Sequence, residues 1–159
     1  AHKDWKIIIA PHVIGEDHLR QITQLLQMKT VRYTQATEAT AREARCLIID
    51  CFGLLSSIYH YGQVAYVGGG FGVGIHNVLE AAVWDMPVIF GPNNAHFREA
   101  QGLKAAQGGF DFNTREEFEA LISRMDTDTE WLAQCGKKAG AFVASMTGAT
   151  RKIMDSVAL

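Results

Sequence analysis

The chain has 159 residues, enough for one domain with a single good core. Apolar residues make up 48% and charged residues 20%, the proportions of an ordinary globular protein, and no apolar run approaches the ~18 residues of a membrane span. A formal net charge of −2 excludes a broadly basic surface of the kind that binds nucleic acid or anionic lipid.

Trp5-Lys6-Ile7-Ile8-Ile9-Ala10 is a β-branched run closed by Pro11 and reads as a buried strand. Pro11-His12-Val13-Ile14-Gly15 is a loop. Glu16 and Asp17 then bring negative charge to a helix whose Leu19, Ile22, Leu25 and Leu26 repeat at helical spacing through about Met28. Thr30 to Thr34 predicts a second strand, and Glu38 to Arg45 a short helix or irregular crossover. Cys46-Leu47-Ile48-Ile49-Asp50 is a third strand ending on a carboxylate. Leu54, Leu55, Ile58 and Tyr59 mark a short helix stopped at Gly62. Val64 to Val67 is the fourth strand, and Asn77 to Trp84 the next helix. Pro87 to Phe90 is the fifth strand, followed by the loop Gly91-Pro92-Asn93-Asn94 and a helix from His96 to Ala106. A last strand covers Gly109 to Phe112. Helices follow at about 114–125, 129–144 and 147–157, the first opened by a Thr114/Glu117 capping box.

Strands alternating with helices about every 20 residues indicate βαβ units. The expected fold is α/β, with a doubly wound parallel sheet of about six strands and carboxyl-terminal helices. The expected organisation is a single domain over residues 1–159. A strand by residue 5 suggests a piece of a longer protein. Three cysteines, Cys46, Cys51 and Cys135, lack C-x-x-C spacing, which points to a reducing compartment and away from structural zinc.

The chain is organised around Val67 to Glu80. Five glycines fall within Gly68-Gly69-Gly70-Phe71-Gly72-Val73-Gly74, between a strand and a helix. Glycine lets a ligand approach backbone amides closely, and a following helix start favours an anion. No register fits G-x-G-x-x-G. Gly69 to Gly74 has P-loop spacing, yet Ile75-His76 stands where Lys-Ser/Thr is needed. A dehydrogenase and a P-loop ATPase are therefore disfavoured.

Ligands of parallel sheets sit beyond the carboxyl ends of the strands. Pro11-His12, Asp50, the glycine loop and Gly91 to Asn94 collect there. Glu80 follows Asn77 by three residues and His76 by four, so the three share a helix face. Glu80 suits two hydroxyls of a ribose; Asn77 either touches the ligand or only caps the helix, and Glu80 is otherwise a solvated side chain. Asp50 is either a ligand group or the cap of the segment starting near Gly53. A receiver-type phosphoacceptor at Asp50 lacks its acidic pair and its lysine. Of six histidines, His12 and His76 fall on the ligand edge. His2, His18, His60 and His96 read as surface or loop residues, and none shows metal-ligand spacing.

The glycine loop through Glu80, with Trp84-Asp85-Met86-Pro87-Val88-Ile89-Phe90-Gly91-Pro92, resembles one family. Pro11-His12, Tyr33 to Thr37, Asp50 to Leu55 and Tyr61-Gly62 extend the likeness over roughly residues 5 to 110. It resembles the C-terminal half of 3-deoxy-D-manno-octulosonic acid (Kdo) transferase, a two-domain GT-B glycosyltransferase of lipopolysaccharide synthesis. The sequence Gly68 to Asn77 looks like the form found in Bacteroides-type bacteria. The resemblance implies a Rossmann-like domain that binds the CMP-Kdo donor and uses no metal or other cofactor. The acceptor, a lipid A precursor, and the catalytic base are implied to belong to an N-terminal domain absent here. Location is implied at the cytoplasmic face of the bacterial inner membrane, reached by the full-length protein.

By that resemblance the donor-binding residues are Pro11, His12, Asp50, Gly53, Gly69, Gly70, Gly74, His76, Asn77 and Glu80, with no catalytic residue in this domain. Two positions depart from the family pattern: no arginine stands beside Pro11, and Leu54 replaces a glutamate. They bear on the donor contacts rather than the fold. The alternatives are a UDP-sugar transferase or epimerase domain of the same architecture, or a stand-alone nucleotide-binding module. The apolar face of the last helix, Ile153, Met154 and Val157, is expected to pack on the missing domain.

Overall fold

A computed structural model describes residues 4–72 and 74–157; His2 and Val73 lie outside the described residues. The chain divides into two compact units, one ending at Ser57 and one starting at Ile58. Among the described residues six short strands pair in parallel as two sets of three, one set in each unit, with helices between them. The α/β alternation read from the sequence is thus present, with the hydrogen-bonded ladders grouped three and three.

In the first unit β1 (Ile7–Ile9) and β2 (Thr30–Arg32) flank the central β3 (Cys46–Ile48). The helix α1 (Glu16–Leu25) carries Glu16 and Asp17 in its first turn, where carboxylates suit the helix dipole. Its Leu19 and Ile22 pack with Cys46, Ile48, Ile7 and Ile9. The helix stops short of Met28 because Leu26 turns extended, at φ −83° and ψ 101°. That turn brings Leu26 and Met28 to the same core. A 3-10 turn, Tyr33–Gln35, follows β2 and cuts short the strand expected to reach Thr34. Next comes α2 (Glu38–Glu43), whose Thr37 cap closes a reciprocal box with Thr40. The chain leaves the unit through α3 (Leu55–Ile58).

The second unit holds β4 (Ala65–Val67), β5 (Val88–Phe90) and β6 (Gly109–Asp111), with β5 central. All three β5 side chains are fully buried, and they alternate across the sheet. Val88 and Phe90 join Ala65 and Val67 against α4 (Leu79–Ala82), α5 (Arg98–Ala105) and the second half of α7 (Thr129–Ser145). Ile89 faces the other way, to Phe112 and Met125, under α6 (Arg115–Thr127) and the Trp131-Leu132 end of α7. Each such apolar side chain contributes roughly 1.5–3 kcal/mol when buried. At the start of α6, the Thr114 hydroxyl accepts the Glu117 N–H at 3.2 Å. The Glu117 carboxylate in turn accepts the Asn113 N–H at 2.6 Å.

The last helix is α8 (Ala149–Ser156), where Ile153 and Met154 are exposed, as is Val157 just beyond it. Among the described residues no helix is long and apolar enough to cross a membrane.

Candidate functional site

In the second unit the strand register sets the site. Val67, Phe90 and Asp111 lie level across the sheet, so the segments that follow β4 and β5 leave side by side. The Gly70 C=O accepts the Asn93 N–H at 2.9 Å, and the Asn93 side-chain amide donates to the Gly72 C=O. The two loops also meet backbone to backbone. A Cβ at Gly70 would fall 2.6 Å from Gly91 Cα, and one at Gly91 would fall 2.5 Å from the Gly70 carbonyl carbon. Only glycine fits at either place.

The loop then folds on itself. Gly69 has φ +98°, and a Cβ there would lie 2.3 Å from the Gly74 oxygen. Gly69 C=O accepts the Gly72 N–H, and Gly68 C=O accepts the His76 N–H at 3.2 Å. The His76 ring lies beside Gly69 and is exposed. Gly74 is roofed by the Phe97 ring. Phe97 is drawn out of the helix to reach it, which is why α5 begins at Arg98 rather than His96.

Asn77 takes the Leu79 N–H on its Oδ1 at 3.0 Å. This side-chain turn caps α4 from outside, so the helix starts at Leu79 instead of Asn77. The Asn77 amide nitrogen donates to Glu80 Oε1 at 3.0 Å. Asn77 is therefore both a cap and the group that aims the Glu80 carboxylate. Glu80 is half-buried. Tyr59 lies near it: burial, and then the Glu80 charge, push the Tyr59 phenol above its ordinary value and keep it protonated.

In the first unit, Ile9 and Ile48 are in register, so Pro11 and Asp50 sit level beyond β1 and β3. His12 is exposed beside Pro11. Asp50 Oδ1 accepts the Thr34 N–H at 2.9 Å and Oδ2 the Thr34 hydroxyl at 2.6 Å. Burial works to raise the Asp50 carboxyl, and the two bonds from Thr34 outweigh it and hold it below its ordinary range. Asp50 thus ties the end of β3 to the turn after β2. Gly53 has φ +87° with nothing within 4 Å of a would-be Cβ, so its backbone turn alone asks for glycine. An open groove lined by Glu16, Arg20, Thr23 and Arg32 holds none of the residues singled out in the sequence. Its Arg32 is engaged by Glu16 through two bonds, 2.6 and 3.0 Å.

The second unit thus brings Gly69, Gly70, Gly74, His76, Asn77 and Glu80 together, and the first brings Pro11 and Asp50 level. Periodicity does not mark Tyr59 or Phe97 as site residues, nor does it give the individual roles of Asn93 and Asn94. The available signal is a pair of polar amides straight after a wholly apolar strand. Chemically, the second unit offers closely approachable backbone, an imidazole at its edge and an oriented carboxylate. Those groups suit a ligand carrying both an anion and vicinal hydroxyls.

Known proteins are similar to this chain in sequence or in fold. The chain is 32% identical over 85 residues to a 3-deoxy-D-manno-octulosonic acid transferase of Aquifex aeolicus, covering 52% of this chain and 24% of that protein. It is 31% identical over 127 residues to the transferase of that name from Chlamydia muridarum, covering 77% of this chain and 29% of that protein. The chain therefore matches about a quarter of the length of these curated relatives. In structure it is similar to the C-terminal CMP-Kdo binding domain of WaaA from Acinetobacter baumannii. The TM-score is 0.65 at 18% identity, covering 86% of this chain and 93% of that one. No protein-family model matches the chain. In sequence the chain is similar to 3-deoxy-D-manno-octulosonic acid transferases over about a quarter of their length, and in fold to the C-terminal CMP-Kdo binding domain of WaaA.

Proposed function

We propose that residues 1–159 form the donor-binding domain of a glycosyltransferase that moves Kdo from CMP-Kdo to a lipid A precursor. The observation that carries this reading is the self-folded glycine loop, with Glu80 held by Asn77 just beyond it, in a chain related to Kdo transferases. The CMP phosphate sits against the backbone of residues 69–72 and 74–76, with His76 as an additional donor. Glu80 accepts from the ribose hydroxyls. Pro11, His12, Asp50 and Gly53 are the donor-contacting residues of the first unit.

In the transfer step an acceptor hydroxyl bonds to the anomeric carbon as the bond to the CMP phosphate oxygen breaks. Negative charge then grows on the phosphate. Loop amides and an imidazole that face it stabilise the leaving group, and this is the main help such a domain can give the reaction. The acceptor and the base that takes its proton belong to a part of the full-length enzyme outside this sequence. That enzyme works at the cytoplasmic face of the inner membrane.

Titration calorimetry with CMP and UDP tests the reading. CMP is expected to bind at least tenfold more tightly than UDP, and the 159-residue chain to show no transferase activity. Tighter UDP binding favours a UDP-sugar enzyme instead. Transfer by the chain alone overturns the division of labour.

A further inference from the structure

The loop after β5 holds the glycine loop from outside. Asn93 makes two bonds to it: its backbone N–H to the Gly70 C=O, and its side-chain amide to the Gly72 C=O. Asn93 itself is exposed, so this side chain is not there to fill a core. Its neighbour Asn94 is the opposite case, a polar side chain only 2% exposed.

A buried amide must find partners, and Asn94 finds them on three segments. Its amide nitrogen donates to the Gly91 C=O at 2.9 Å and to Asp111 Oδ2 at 2.9 Å. Its Oδ1 accepts from Gln101 Nε2 at 2.6 Å, and Gln101 Nε2 also reaches the Asn94 C=O at 3.1 Å. Asp111 is paired in turn with Lys104 at 2.5 Å. Gln101 and Lys104 stand one turn apart on α5, and Asp111 ends β6. The network thus pins the β5 loop to a strand and a helix. A pinned loop can hold Asn93 still while Asn93 holds Gly70 and Gly72.

We infer that Asn93 is a positioning residue for the phosphate-binding loop: its side-chain amide, anchored through Asn94, Asp111, Gln101 and Lys104, fixes the turn at Gly70–Gly72. Two loop carbonyls point outward to Asn93. A trans peptide unit is planar with its N–H opposite its C=O, so holding the Gly70 C=O also fixes the direction of the Phe71 N–H. The loop then meets an anion without first being ordered, and binding is correspondingly tighter. The inference rests on the CMP-donor reading above.

The test compares the 159-residue chain with Asn93→Ala, which removes the amide and leaves the backbone N–H in place. Two ligands, CMP and cytidine, are titrated by NMR, and amide exchange of residues 69–76 is followed without ligand. The expected result is about tenfold weaker CMP binding, the scale of one lost hydrogen bond. Cytidine binding is expected to stay within twofold, and loop amides to exchange faster. A merely structural role lowers CMP and cytidine alike. Equal loss of both ligands, unchanged CMP binding, or unchanged loop exchange overturns the assignment of Asn93. Failure of the unsubstituted chain to bind CMP overturns the donor reading itself, and this inference with it.

Discussion

In the second unit the central strand β5 is buried along its whole length, with packed helices against both faces. In the first unit the central β3 is buried at two of three positions, and β1 and β2 beside it stay half-open. Ile8 is 40% exposed. The same parallel three-strand plan therefore rests on cores of different size. The difference follows the chemistry proposed for each. The glycine loop, for which we propose phosphate binding, grows from the better-packed unit. The residues proposed to contact the donor from the first unit stand beside the less fully buried core.

Core truncation should separate the two units most sharply. Phe90→Ala removes a fully buried ring from the larger core. It should cost ~3–5 kcal/mol in urea unfolding. Leu19→Ala in the smaller core should cost ~2–3 kcal/mol, because its half-buried neighbours can close up. Equal losses would erase the contrast between the units.

Gly91→Ala comes next. Its Cβ would meet the backbone of Gly70, which cannot rotate away as a side chain could. A loss of ~1–3 kcal/mol is expected, of the size overpacking brings. CMP affinity should fall more than tenfold. Gly53→Ala in the first unit faces open space and only a backbone penalty. It should cost ~1–2 kcal/mol and lower CMP affinity by less than Gly91→Ala does. A larger effect on affinity at Gly53 than at Gly91 would reverse the ranking.

The smallest effects are in acid. Burial works to raise the Asp111 carboxyl, and the bonds from Lys104 and Asn94 outweigh it, so its folded pKa lies below the ordinary 3.8. A depressed carboxylate stabilises the fold above 3.8, and that contribution is lost as pH falls from there through the lower folded value. Asp111→Asn should flatten this acid limb of the urea-unfolding profile. Asp50 is depressed in the same direction through Thr34. Its bonds lie on the exposed side of the fold, so Asp50→Asn should flatten the limb less. A larger effect at Asp50 would mean the first unit carries more of the polar stabilisation than its packing suggests.

Much of the fold was legible because local chemistry wrote it. Apolar runs of three to five residues, closed by Pro11, Asp50, the glycines and Gly91, mark four of the six strands, whereas β2 (Thr30–Arg32) and β6 (Gly109–Asp111) are mixed in polarity. Thr114 and Glu117 announce the start of α6 three residues apart. Within the candidate site, the pairing of Asn77 with Glu80 was legible because the two are close in sequence, although His76 and Asn77 stand before the helix rather than on its face. The boundaries that shifted did so where a side chain served something distant. Phe97 leaves its helix for Gly74, and Leu26 leaves its own for the first unit's core.

The sequence alone determined the α/β alternation, the glycine loop and the carboxylate one turn beyond it, because each depends on neighbours within about four residues. Only the tertiary structure decided that Gly70 is required by Gly91, that Asn93 clamps the loop and that Asn94 is the buried anchor. Gly70–Gly91 and Gly72–Asn93 join residues 21 apart, in the loops after β4 and β5, and Asn94–Asp111 joins residues 17 apart. Periodicity cannot report them: a glycine that makes room for another glycine reads, in sequence, like any flexible turn.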